Sequence, residues 1–332
     1  GVRNAKIMIL LALIFCFLLI GFYFTKSFFT TKTGGDYRNL TDIDTAYNAD
    51  LEISSALERF NGSQEKASII AHGPVDQRFV AITFDGLTDR TTMQQILDLL
   101  QKHNAKATFF VDGMLKAEDP QIVLNIKKEG QKIENYTLSG RPKMENLPAE
   151  KLIRDFCRAQ KIIEINTDKV PGLLKCNNTK YNDQLLRAAK ACGLNSVVKN
   201  DLFLNVKQIN KAATADDFVR SVKPGSIISV QLKANTDPIV NEKGKTDDRP
   251  AVDKQPGLKN LSQQTELGEK EIVDAVEKLL VALHKANYNT VFVEDFSKYN
   301  NQQNQQKPTA FKTVWGGYHA FAIKILSFAK EQ

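Results

Sequence analysis

Only four histidines occur in 332 residues, and His72, His103, His284 and His319 stand far apart along the chain. No two of them fall at a metal-ligand spacing, so each reads as a surface or packed residue. Cysteine is equally sparse: of four, Cys16 lies in an apolar run, leaving Cys157, Cys176 and Cys192. An odd number cannot pair fully, and the spacing is not that of a zinc ribbon, which excludes a disulfide framework and allows one bridge at most. There is no phosphate-cradling glycine loop, no Ser/His/Asp set at a recognised spacing and no internal repeat. With 42% hydrophobic and 25% charged residues the chain can build a core, which excludes a disordered or fibrous protein.

The net charge of +7 is not spread evenly. Residues 1–29 carry Arg3, Lys6 and Lys26 with no acid, and 300–332 carry Lys307, Lys312, Lys324 and Lys330 against Glu331, so 30–299 is nearly neutral. Nothing in that pattern calls for nucleic acid. Charge is wholly absent from Ile7 to Phe24, a run long enough to cross a bilayer as a helix. No small-residue cleavage pattern follows it, so residues 1–29 read as an uncleaved transmembrane signal anchor rather than a removed leader. Arg3 and Lys6 place the N-terminus in the cytoplasm. The chain would then be a single-pass membrane protein whose C-terminal part lies outside the cytoplasm.

Residues 30–76 read as a linker followed by a stalk helix or a helix packed on the domain, because Leu40, Ile43, Tyr47, Leu51, Leu57 and Phe60 recur at roughly helical spacing. From 77 to 299 strands and helices alternate. Strands are expected at Phe79–Phe84, Ala107–Val111, Gln131–Asn135, Ser196–Val198, Ser226–Leu232 and Thr290–Val293. Helices are expected at Thr91–His103, Pro120–Glu129, Ala149–Ile165, Asp183–Cys192, Asp216–Val222 and Glu269–Asn287. That alternation predicts an α/β fold with a parallel sheet, open or closed into a barrel, whose functional groups gather at the carboxyl ends of strands. A polar stretch at 233–268 interrupts it as an insertion. Residues 300–332 combine an Asn/Gln-rich linker with an amphipathic stripe through Trp315, Tyr318, Phe321, Ile325 and Phe328. The segment 308–330 can therefore meet a membrane surface or an envelope protein, or pack back on the domain.

The passage Arg78-Phe-Val-Ala-Ile-Thr-Phe-Asp-Gly86, followed by Ile96 to Gly113 with its Ala-Thr-Phe-Phe-Val-Asp-Gly ending, resembles the start of a NodB-like polysaccharide deacetylase domain (carbohydrate esterase family 4). The likeness continues through Lys128-Glu-Gly130, Tyr181 to Gly193 and Lys223-Pro-Gly-Ser-Ile-Ile228. It implies a distorted (β/α) barrel and a bacterial source. Family members remove acetyl groups from N-acetylated sugars of chitin or peptidoglycan, using a divalent metal, commonly zinc, held by one Asp and two His. The metal polarises the amide carbonyl and activates water, a carboxylate takes the water proton and an imidazole protonates the leaving amine.

Several of those positions are substituted here. Asp85 matches the family's catalytic base, but the three ligand positions fall on Gly86, Tyr136 and Gly140. The Arg-containing motif that orients the base falls on Lys175-Cys-Asn-Asn-Thr179, and the late histidine on Gln231. The expectation is a pseudoenzyme without a metal cofactor, with Asp85 retained as a vestigial catalytic position. Its function would be cell-wall glycan binding or scaffolding, with Tyr136, Lys175, Asn177, Asn178 and Gln231 lining the former groove. Two other readings stay open. One is an active hydrolase rebuilt on carboxylates at strand ends, Asp85, Asp112 and Glu134, with Asp89 in the same loop as Asp85. The other is a subunit of an envelope protein assembly.

Overall fold

The structure, a computed structural model, describes residues 46–114, 119–211, 214–232 and 259–296. The expected anchor at 7–24, most of the polar insertion and the tail at 308–330 lie outside the described residues. Among the described residues no helix is long and apolar enough to cross a membrane.

The described chain opens on helix α1 (Asp50–Gly62) and strand β1 (Ser68–Ile70). Strand β2 (Phe79–Asp85), helix α2 (Arg90–Lys102), β3 (Ala107–Val111), α3 (Pro120–Lys128), β4 (Lys132–Asn135) and α4 (Ala149–Thr167) follow. Then come β5 (Leu173–Leu174), α5 (Asp183–Ala191), β6 (Ser196–Val198), β7 (Leu202–Phe203), α6 (Val206–Ile209), α7 (Thr214–Ser221), β8 (Ile227–Gln231), α8 (Lys259–Lys285) and β9 (Asn289–Val291). Every strand pairing is parallel. The order is β1-β6-β5-β4-β3-β2-β8-β7, with β9 beside the start of β2. The sheet curls into a half-barrel wrapped by helices, the distorted (β/α) barrel that the sequence predicts.

Strand β2 shows how the two faces are divided. Side chains alternate across a strand, so Val80, Ile82 and Phe84 point outward into the helices α2, α3, α7 and α8, joined there by Phe109, Ile96, Leu279 and Leu283. Ala81, Thr83 and Asp85 point into the concave face. A second outer cluster packs α1, α4 and α5 against the other end of the sheet through Ile53, Ala56, Leu152, Phe156, Leu185 and Val197. The concave face is filled by Ala81, Phe110, Tyr136, Leu173, Val198 and Ile227. A strand covered on both faces must be apolar nearly throughout, which is why Phe79–Asp85 reads as an almost unbroken hydrophobic run.

Some elements differ from the sequence reading. Helix α8 begins at Lys259, ten residues ahead of the expected Glu269, so the polar stretch ending at 268 is helical in its last part. Strands β1, β5 and β7 were not expected, and the sheet starts at Ser68 rather than after residue 77. Helix α1 is packed on the domain: Ile53 and Ala56 are buried against α4 and α5.

Candidate functional site

The concave face brings Asp85, at the carboxyl end of β2, against Lys175, just past β5. Lys175 Nζ donates to Asp85 Oδ1 at 2.7 Å, Thr83 Oγ1 at 2.8 Å and Ser229 Oγ at 3.1 Å. Ser229 Oγ donates in turn to Asp85 Oδ2. Strands β5 and β2 are three positions apart in the sheet, about 14 Å if it were flat. A lysine spans them only because the sheet curls, and it passes 5.5 Å from the centre of the Phe110 ring on the way. Thr83 and Ser229 sit opposite one another in the β2–β8 register, as do Asp85 and Gln231. All three ammonium protons thus find oxygen acceptors, although Lys175 is only 1% exposed and Asp85 2%. Burial pushes the Lys175 pKa down, and the Asp85 carboxylate opposes that shift. A charge is tolerated at such depth only when it is paired and hydrogen-bonded, as this one is.

Above the pair, the loop after β4 turns back on itself. Asn135 Oδ1 accepts from Thr137 N at 2.7 Å while its amide donates to Phe156 O at 3.2 Å. Thr137 takes a φ of 69°, and its hydroxyl oxygen accepts from Gly140 N at 3.0 Å. Leu138 N donates to the half-buried Asp155 at 2.8 Å, and Asn177 Nδ2 donates to Gly140 O at 3.1 Å. The turn lays the Tyr136 ring, 4% exposed, directly over Gly140. Burial, followed by the charge of Asp85, pushes the Tyr136 phenol well above its ordinary pKa. The group therefore stays a neutral phenol.

Residues that would hold the family's divalent metal do not fit one. Gly86 and Gly140 supply no donor atom, both have positive φ (81° and 68°), and Tyr136 offers a neutral phenol in place of an imidazole. Asp85 is already taken up by an ammonium. Among the described residues no three His, Cys, Asp or Glu side chains are grouped so as to bind a metal ion.

The carboxylates expected to form a replacement site are not assembled either. Asp85, Phe110 and Glu134 occupy one rung across β2, β3 and β4. The backbones at Asp85 and Glu134 are therefore two strand spacings, about 10 Å, apart, with Phe110 between them on the rung. Glu134 Oε2 is spent on the backbone N–H groups of Gly172 and Leu173, at 2.8 and 2.7 Å. Burial, with a contribution from nearby Glu294, pushes its pKa up to about 8. Asp112 is fully buried beside Tyr136 and Gly140. Asp89 is the N-cap of α2, accepting from Thr92 N at 3.0 Å.

The expected groove lining is likewise divided. Tyr136 and Lys175 are buried in the floor, 4% and 1% exposed, and offer almost no surface to a ligand. Asn177 and Gln231 are half-buried, and Asn178 is exposed with a φ of 37°. Thr83 and Ser229, which complete the ion-pair cage, went unnoticed in the sequence. Period-two alternation puts Thr83 on the face of Asp85, but the position of Ser229 needs the β2–β8 register.

Comparison with known proteins bears on the fold. Residues 72–197 match the family model for polysaccharide deacetylase. A peptidoglycan-N-acetylglucosamine deacetylase of Bacillus cereus is 34% identical over 125 residues, which is 38% of this chain and 58% of the relative. The match thus spans less than two thirds of that relative's length. Among solved structures, a family 4 pseudoenzyme from Bacillus anthracis superposes with a TM-score of 0.52 at 16% identity, covering 70% of this chain and 69% of that one. The peptidoglycan deacetylase PdaC of Bacillus subtilis gives 0.52 at 21% identity, covering 70% and 96%. At those identities the structures establish a shared fold.

Proposed function

We propose, for a chain that carries a NodB-like domain of carbohydrate esterase family 4, the role of a membrane-anchored extracytoplasmic pseudoenzyme that binds or scaffolds cell-envelope glycan. One observation carries this reading: the Lys175 ammonium sits 2.7 Å from Asp85, the residue at the family's base position. A base must accept a proton from water in the transition state. Asp85 instead accepts hydrogen bonds from Lys175 and Ser229 on both its oxygens, and it lies in a floor closed to solvent. Among the described residues no three His, Cys, Asp or Glu side chains are grouped to hold a metal that would polarise an amide carbonyl.

Any sugar contact then falls to the rim, where Asn177, Asn178 and Gln231 offer amides at partly open positions. The anchor expected at 7–24 would hold the domain near the wall, and the tail at 308–330 would be available to membrane or envelope proteins. Two of the three proteins named above have names that specify peptidoglycan, which makes wall glycan the first ligand to try. Purified full-length protein should release no acetate from N-acetylated chitooligosaccharides or peptidoglycan, and should carry substoichiometric zinc. Release of acetate that stops in Asp85→Asn would sink the proposal.

A further inference from the structure

On the outer side of the sheet, away from the ion pair, two thiols meet. Cys157, in the middle of α4, and Cys192, the residue that caps the carboxyl end of α5, lie with their sulfurs 3.1 Å apart. They are 35 residues apart in sequence. Each is held in that orientation by a backbone oxygen: Cys192 Sγ points to Ile153 O at 3.7 Å and Cys157 Sγ to Glu52 O at 3.9 Å. Both line one cavity of about 370 Å³ between α1 and α4, together with Glu52, Arg59, Gln160 and Lys161. The third described thiol, Cys176, is buried elsewhere, beside Tyr181.

We propose that Cys157 and Cys192 are a disulfide-forming pair, closed by exchange with an exogenous disulfide that enters through this cavity. A bond of about 2.05 Å requires the sulfurs to approach by roughly 1 Å. Rotation of the two side chains about their Cα–Cβ bonds can supply that movement while the Cys192 N–H stays bonded to Ala188 O at the end of α5. In the exchange one protein thiol loses its proton and attacks a sulfur of the incoming disulfide, expelling one thiolate. The second protein thiol, also deprotonated, attacks the mixed disulfide and expels the other. Two protein thiols are oxidised to one disulfide, the incoming disulfide is reduced to two thiols, and the two protons end on those products. The bridge ties α4 to the end of α5, the two helices that α1 packs against. It therefore fixes the seat of the first described helix of the domain.

The full-length chain, purified reduced, is incubated with oxidised glutathione. Remaining thiols are then trapped with N-ethylmaleimide in denaturant, and the digest is mapped by mass spectrometry. The expected product is a Cys157–Cys192 cross-linked peptide with Cys176 alkylated, and a Tm about 5–10 °C above that of the reduced protein. Cys192→Ser abolishes the shift and Cys176→Ser keeps it. Recovery of Cys157 and Cys192 both alkylated, both stalled as separate glutathione adducts, or cross-linked to Cys176 overturns the proposal.

Discussion

The Tyr136 ring occupies the space that a side chain on Gly140 would need. A Cβ placed on Gly140 would lie 3.2 Å from Tyr136 Cε1 and 3.3 Å from Cδ1, on a backbone whose φ is +68°. The two positions, both matched by the family resemblance to metal-binding imidazoles, thus stand in direct steric contact. With the ring where it stands, a side chain at 140 would be crowded as well as strained by the positive φ. The pair should behave as a coupled unit. Gly140→Ala should cost about 1–2 kcal/mol of unfolding free energy in the otherwise unchanged chain, from positive φ and crowding combined. In a Tyr136→Ala background the same change should be cheaper by at least 0.5 kcal/mol, a coupling that urea denaturation of the four variants resolves. Strict additivity would mean that the ring does not exclude a side chain at 140.

The buried ammonium makes a second, larger prediction. Lys175→Met leaves Asp85 in the floor without its counter-charge, and breaking one partner of such a pair typically costs about 3–5 kcal/mol. Removing the charge of Asp85 as well, in Asp85→Asn/Lys175→Met, should recover at least half of the loss. A single variant that unfolds within 1 kcal/mol of the parent would show that Asp85 is protonated or hydrated in the native state, contrary to the geometry.

How far the sequence foretold this site depends on the length of pattern each part leaves behind. Strand β3 was expected at its observed bounds, and β2 and α4 within one or two residues, because five or more residues of buried run or helical periodicity leave a readable signal. Strands β5 and β7 have two residues each, too few for any period; of the three-residue strands, β6 was expected at its bounds and β1 was missed. The absence of donors at Gly86 and Gly140 was legible directly. The placement of Lys175 was legible only through the resemblance, which sets it on the motif whose Arg orients the base; residue pattern alone gave groove lining, whereas the curl of the sheet brings its ammonium past Phe110 to Asp85. That contact joins residues 90 apart in sequence through a strand order no local pattern encodes.

Glu134 sets the pH dependence. Burial, followed by the nearby charge of Glu294, raises its pKa from 4.5 to about 8, against the opposing effect of the Leu173 and Gly172 N–H groups and Lys169. A carboxyl that holds its proton more tightly when folded stabilises the native state below its unfolded pKa. That contribution is lost as pH rises through the folded value. Stability should therefore fall between pH 4.5 and about 8, with a limiting slope near 1.4 kcal/mol per pH unit. Asp155, raised to about 6 chiefly by burial, adds a similar fall at the acid end of this range. Glu134→Gln should flatten the segment from pH 6 to 8 and roughly halve the slope from 4.5 to 6, where Asp155 still contributes. Chemical denaturation at a series of pH values reads both, and a wild-type curve flat above pH 6 would count against a proton on Glu134.

Tyr181 tests what keeps Lys175 aimed inward. Its hydroxyl donates to Val198 O at 2.8 Å and accepts from Cys176 N at 3.1 Å, joining the end of β6 to the residue that follows Lys175. Strand β5 contributes two residues to the sheet, with one paired position to β4 and two to β6, so this hydroxyl is a substantial part of what fixes the backbone at 175. Tyr181→Phe keeps the ring and removes both bonds, leaving a buried N–H and a carbonyl to find other partners. The expected loss is about 1–3 kcal/mol. If the hydroxyl acts through Lys175, that loss should shrink in the Asp85→Asn/Lys175→Met background, where no buried charge depends on the position of the backbone. An equal loss in both backgrounds would make Tyr181 a brace for the strand ends alone, with no part in holding the ion pair.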